Sequence, residues 1–143
     1  MDRPALLAVP VAVVSALVVP LRSLVAFQSL REVVDLTVLS LLARPLWMTL
    51  AIVGLAAVGY AYGTVSPREK PTVVLAVASL SALVGVAVGL LVVSFGTEAT
   101  VAGRGGPLAE VGLLGGYAVL DAALFGMLAL GGYALTFETG RSE

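Results

Sequence analysis

The chain alternates long apolar stretches with short polar groups. The first stretch covers about 4–21, with Arg3 ahead of it and Arg22 behind. At 1.5 Å of rise per helical residue, some 18 residues give about 27 Å, just enough for a hydrocarbon core of roughly 30 Å. A cleaved leader is the rival reading, but no small-x-small site follows the stretch, so a retained helix is expected. Pro10 should kink it, and Pro20 should mark its bend or end at the membrane surface.

Between about 22 and 44 the pattern changes. Leu24, Val25, Phe27, Leu30, Val33, Val34, Val38, Leu41 and Leu42 recur at helical spacing, while Gln28, Arg31, Glu32 and Asp35 fall on another stripe. This spacing predicts an amphipathic helix. Burying Arg31, Glu32 and Asp35 at mid-bilayer would cost roughly 2.5 to 3.5 kcal/mol each, against a return of about 0.3 to 0.6 per apolar residue. The segment is therefore expected to lie flat at the interface, where Arg31 and Asp35 can pair for only about 0.2 to 0.5 kcal/mol.

The second span is expected over about 46–63, after Arg44-Pro45, with Trp47 at one end and Tyr60 and Tyr62 at the other as interfacial anchors. A polar link from Ser66 to Pro71 leads into a third span over about 72–95, which carries no charge. The stretch over about 96–109 is glycine-rich, carries Glu98 and Arg104, and reads as a mobile solvent-exposed loop. A last span over about 110–137 ends in a short polar tail. The predicted fold class is thus all-α: a polytopic helical membrane protein forming one membrane domain, with four transmembrane helices and one amphipathic interfacial helix.

Composition supports this placement. Of 143 residues 59% are hydrophobic and 12% charged, with a mean hydropathy of +1.07. A soluble domain carries about a quarter charged residues, because it must cover its core with a solvated surface. The eight basic residues are scattered and the net charge is -1, which argues against nucleic acid as a partner. Absent cysteine rules out disulfides and thiolate metal sites within the chain, and absent histidine removes the commonest metal ligand and general base. No cofactor is implied, and neither is a catalytic or metal-binding residue. A chain with no asparagine, one isoleucine and one lysine against seven arginines suggests a GC-rich prokaryotic genome.

Asp121 is the one charge well inside an expected span. Counted from Glu110 it falls near the bilayer midplane, and an intramembrane acid is a functional hypothesis by default. It could be a proton or cation site that loads and unloads. The plainer reading is an acid bonded across the bundle, with Ser81 its expected partner by depth and Ser15 the next.

Small residues recur at four-residue spacing, which lets helix backbones approach closely. Gly112, Gly116, Ala122 and Gly126 form such a series in the last span, Ser81, Gly85 and Gly89 in the third, and Gly59 and Gly63 in the second. Packing within one chain is the plainer reading, and contact with another subunit the other. Arg22, Arg31, Glu32, Asp35 and Arg44 are the expected interfacial contacts, with headgroups or with a docked partner. Gly103-Arg104-Gly105-Gly106 lacks the Lys-Ser/Thr pair of a phosphate loop, and no serine stands in a nucleophile-elbow setting.

The reading that asks least of the sequence is a non-enzymatic accessory or structural subunit of a membrane assembly. Its partners would be the lipid bilayer and other membrane subunits or a second copy of itself. One alternative is a small oligomeric transporter or proton/cation conduit using Asp121. A second is a membrane-bound enzyme acting on lipid through Glu32 and Asp35. Basic residues divide evenly between the two sides, and the Arg68-Lys70 pair tilts the expected location toward a multi-pass cell-membrane protein with both termini in the cytoplasm.

Overall fold

A computed structural model describes residues 3–22, 32–96 and 106–139. Among them the chain is all-helical, with no strand. Helix α1 spans Arg3–Arg22 and carries Pro10 and Pro20 within it. Helix α2 spans Leu36–Thr49, continues through a π-helical segment at Leu50–Gly54, and leads directly into α3, Leu55–Val65. Helix α4 spans Pro71–Gly96 and α5 spans Gly106–Thr139.

Four apolar windows within these helices are long enough to cross a bilayer: Pro4–Arg22, Thr37–Val65, Pro71–Val93 and Gly115–Glu138. Pro71 and Pro107 each sit in the first turn of their helix, where the missing N–H costs no ladder bond.

The second long helix begins at Leu36, ahead of the expected span over about 46–63, and so takes in part of the stretch expected to lie at the interface. Glu32, Val33, Val34 and Asp35 form an exposed turn, and residues 36–44 are the opening turns of the second long helix. Once Glu32 and Asp35 stand ahead of the helix, Arg44 is the one charge between Leu36 and Val65, so the burial penalty that argued against helix continuity disappears. Pro45 lies inside α2 and removes one ladder bond without breaking the rod. The turn is tied on by the Asp35 carbonyl, which accepts the Leu39 N–H at 3.0 Å. Residues 23–31, with Arg31 and its expected pairing to Asp35, lie outside the described residues, as does most of the expected loop at 96–109.

Glycine contacts fix the topology. Gly85 of α4 abuts Ala12 and Ser15 of α1, and Gly89 abuts Ala16 and Val19. Positions rise together, so α1 and α4 run parallel. Gly59 meets the Ala129 carbonyl and Tyr133 of α5, and Gly63 meets Thr136, so α3 and α5 are also parallel. Gly54 lies on Val14, and Arg22 lies over Trp47, so the second rod runs antiparallel to α1. The result is an up-down-up-down bundle in which α4 packs on both α1 and α5, and α5 also packs on α3.

The bundle core is almost wholly apolar, with Leu7, Val11, Leu55, Val74, Phe125 and Tyr133 fully buried. The outward faces are apolar as well: Val13, Leu17, Val84, Val88, Leu120 and Leu124 are all exposed. Helices that are apolar on every side are stable only where the surroundings are apolar too.

Close backbone contact joins the helices where glycines face a neighbour. A Cβ at Gly59 would collide with the Ala129 carbonyl, and one at Gly132 with the Ala56 carbonyl. These two reciprocal contacts bring α3 and α5 together at backbone distance.

Candidate functional site

The two ends of the bundle differ in chemistry. At the end where α1 begins and α5 finishes, aromatic rings gather. The Tyr62 and Tyr133 centroids are 6.2 Å apart, and Phe137 stands edge-on to Tyr133 at 5.2 Å. The Tyr133 hydroxyl donates to the Glu69 carbonyl at 2.9 Å and reaches the Ser66 carbonyl at 3.2 Å. It thereby ties α5 to the short link between α3 and α4. Ser66 is itself buried, with its Oγ lacking a partner among the described residues.

The opposite end carries an ion pair. Arg22, the last residue of α1, places Nη1 2.9 Å from Oδ2 of Asp121 on α5. Its guanidinium carbon also lies 4.9 Å from the ring centroid of Trp47 on α2, a cation–π distance. The two side chains are 36% and 21% exposed, so the pair sits at a boundary and is neither sealed in the core nor free in solvent. Below it lies a cleft of about 200 Å³ lined by Val19, Val86, Leu90, Ala118 and Tyr117 together with the pair.

Asp121 therefore stands level with the end of α1, where Arg22 meets it. Arg22 closes α1, so the contact fixes Asp121 at the level of that helix's end, while along its own helix, Gly106–Thr139, it stands near the middle. Ser81 does not bond to it: the Ser81 Oγ donates to the Val77 carbonyl of its own helix at 2.7 Å. Ser15 is wholly buried against Gly85, and its hydroxyl has no partner among the described residues.

Of the expected packing positions, Gly85 and Gly89 face α1, Gly126 abuts Ser79, and Ala122 is buried. Gly116 faces open space, with nothing within 4 Å of where its Cβ would be. The surroundings of Gly112 lie outside the described residues. Gly132 and Ser79 carry close contacts that four-residue spacing did not single out. Glu32 and Asp35 are exposed in the turn before α2, and Arg44 is exposed on α2 itself.

Compared with protein-family models, with curated proteins and with solved structures, the chain matches none of them. The reading of its function therefore rests on the arrangement of its own residues. Arg22 was expected as a boundary charge and Asp121 as an acid within a span, but nothing in either stretch of sequence announced that they meet. The available signal was the order of helices: in an antiparallel bundle the end of the first helix lies at the same end as the start of the last.

Proposed function

We propose that the protein is an integral membrane protein whose four long helices span the bilayer, and that it acts as an accessory or structural subunit of a membrane assembly. The observation that carries this reading is the engagement of Asp121 by Arg22. The acid that a conduit would have to load and unload already pairs with a cation, level with the end of α1. The glycine-mediated backbone contacts leave the centre filled by Val11, Leu55, Val86, Ala122 and Phe125, with Ser15 a fully buried polar side chain among them.

Orientation is part of the same proposal. Arg3 and Thr139 lie at one end of the up-down-up-down bundle, the end that also carries Arg68 and Lys70. Basic residues divide evenly between the two ends, and the compact Arg68–Lys70 pair tilts this reading toward both termini in the cytoplasm. Because the chain has no cysteine, single cysteines introduced at the exposed Pro67 and Glu32 report sidedness by labelling with an impermeant thiol reagent. Pro67→Cys should react only in opened cells, and Glu32→Cys in intact ones.

The function itself is tested by mild-detergent purification of a tagged copy from its native membrane, followed by native mass determination. Foreign subunits in fixed ratio support the accessory role. A pure homo-oligomer that passes protons or cations in proteoliposomes, and loses that flux in Asp121→Asn, would replace it with the conduit reading.

A further inference from the structure

The Arg22–Asp121 pair does not use up its own bonding capacity. A guanidinium has five N–H donors, and the described residues engage one of them, Nη1 on Asp121 Oδ2. The carboxylate keeps its second oxygen. One face of the guanidinium is covered by Trp47, and its remaining edge borders the cleft. An opposite-charge pair with spare donors on one side and spare acceptors on the other is complementary to a ligand that itself carries both charges.

The rest of the cleft specifies the body of that ligand. Its floor is Val19, Val86, Leu90 and Ala118, all buried or half-buried, and its rim holds the exposed Tyr117. An apolar cavity of about 150 Å³ holds a molecule the size of benzene. The volume of about 200 Å³ here therefore accepts a short alkyl segment and no large ring system. Polar rim and apolar floor lie at the level of Trp47 and the end of α1, where a membrane would place its headgroup boundary.

We propose that this cleft seats a zwitterionic glycerophospholipid bearing a primary ammonium, with its phosphate on Arg22, its ammonium on Asp121 and part of an acyl chain on Val19, Val86, Leu90 and Ala118. The proposal rests on the membrane placement given above. Charge complementarity selects this class. A phospholipid with an anionic, uncharged-alcohol headgroup satisfies Arg22 and leaves Asp121 facing its phosphate. A choline headgroup has no N–H to donate to Asp121. Quaternary ammonium is otherwise recognised by cages of several aromatic faces; here Arg22 already occupies that of Trp47, and Tyr117 is the one ring among the described residues that line the cleft.

The test uses the full-length protein, delipidated in detergent and offered phosphatidylethanolamine, phosphatidylcholine and phosphatidylglycerol of identical acyl chains. Retained lipid is counted by native mass spectrometry. Wild type should retain the ethanolamine lipid at least tenfold over the other two. Asp121→Asn should lower that ratio to near one, and Asp121→Glu, which keeps the charge, should preserve it. Circular dichroism checks that each variant remains helical, and the wild-type preference stands as a test even if Asp121→Asn fails to fold.

Equal retention of all three lipids by wild type, or an unchanged preference in folded Asp121→Asn, overturns the proposal. Glycerophosphoethanolamine without acyl chains is a further arm: if it competes as well as the whole lipid, the site belongs to a soluble headgroup and the lipid assignment is wrong. Resistance of the protein to alkaline carbonate extraction is measured first. Release from the membrane would refute the membrane placement, whereas a retained protein without lipid preference refutes this inference alone.

Discussion

Arg22 and Asp121 are separated by 99 positions in sequence and by 2.9 Å in space. Their contact joins the end of the first helix to the last helix without α1 and α5 packing on one another along their length. The pair therefore acts as a clasp across the open end of the bundle, and its two halves are unequal. Arg22 also has Trp47 and greater exposure, while Asp121 has the apolar cleft beside it.

That inequality predicts an asymmetric mutant cycle. Arg22→Gln should destabilise the bundle more than Asp121→Asn, because it leaves a carboxylate beside Val86 and Leu90, whereas the converse change leaves a cation that Trp47 and solvent still accommodate. For a pair this exposed the coupling energy should be about 1 kcal/mol or less. Reversible unfolding in mixed micelles of the two single variants and the double variant measures it. Equal penalties for the single variants would contradict the account.

The glycine contacts predict a contrast between residues of one type. Gly59→Ala and Gly132→Ala each push a methyl group into a carbonyl of the facing helix and should destabilise the protein by about 1 to 3 kcal/mol. Gly116→Ala and Gly131→Ala meet nothing within 4 Å and should cost no more than about 0.5 kcal/mol. Detergent thermal-melt ranking of the four variants is enough to check this. Loss of stability in the second pair would show that an outward face of α5 is itself covered.

Much of the architecture was legible in the chain, and the reasons for the exceptions are specific. The apolar runs located all four long helices because an apolar run of about 18 or more residues with few or no charges has few other physical meanings. The boundary at Pro45 was not legible, since proline is a helix breaker in water but costs only one ladder bond when neighbours hold the rod in place. The amphipathic spacing over 22–44 likewise could not reveal that Glu32 and Asp35 would fall in a turn. At the site, residue types pointed to Asp121, but pairing depends on the relative register of two distant helices. That register is set by contacts such as Gly85 on Ser15 and Gly126 on Ser79, of which a single sequence carries no direct trace.

Tyr133 offers a prediction at the other end of the bundle. Its hydroxyl secures the α3–α4 link through the Glu69 and Ser66 carbonyls, while its ring packs between Tyr62 and Phe137. Tyr133→Phe keeps the ring packing and removes the donor, so stability should fall by about 1 kcal/mol. Hydrogen exchange should rise selectively over residues 66–74, where backbone groups of the link and the first turn of α4 bond to one another. Exchange that rises evenly over the whole chain would mean that the hydroxyl supports global stability and not the link.

Ser15 gives the sharpest separation between a subunit and a conduit. Its side chain is completely buried between α1 and α4, and its Oγ finds no partner. An unsatisfied buried hydroxyl costs about 1 to 3 kcal/mol, so Ser15→Ala, which removes the hydroxyl and keeps the Cβ beside Gly85, should leave stability unchanged or raise it by about 1 kcal/mol. A structural subunit has no use for that hydroxyl, and Ser15→Ala should assemble and function as the parent does. A conduit would need polar groups along its path, and among the described residues Ser15 is a fully buried hydroxyl deep in the bundle. Retained stability with lost ion flux in Ser15→Ala would therefore turn the apparent packing defect into a transport element, and with it the assignment of the whole protein.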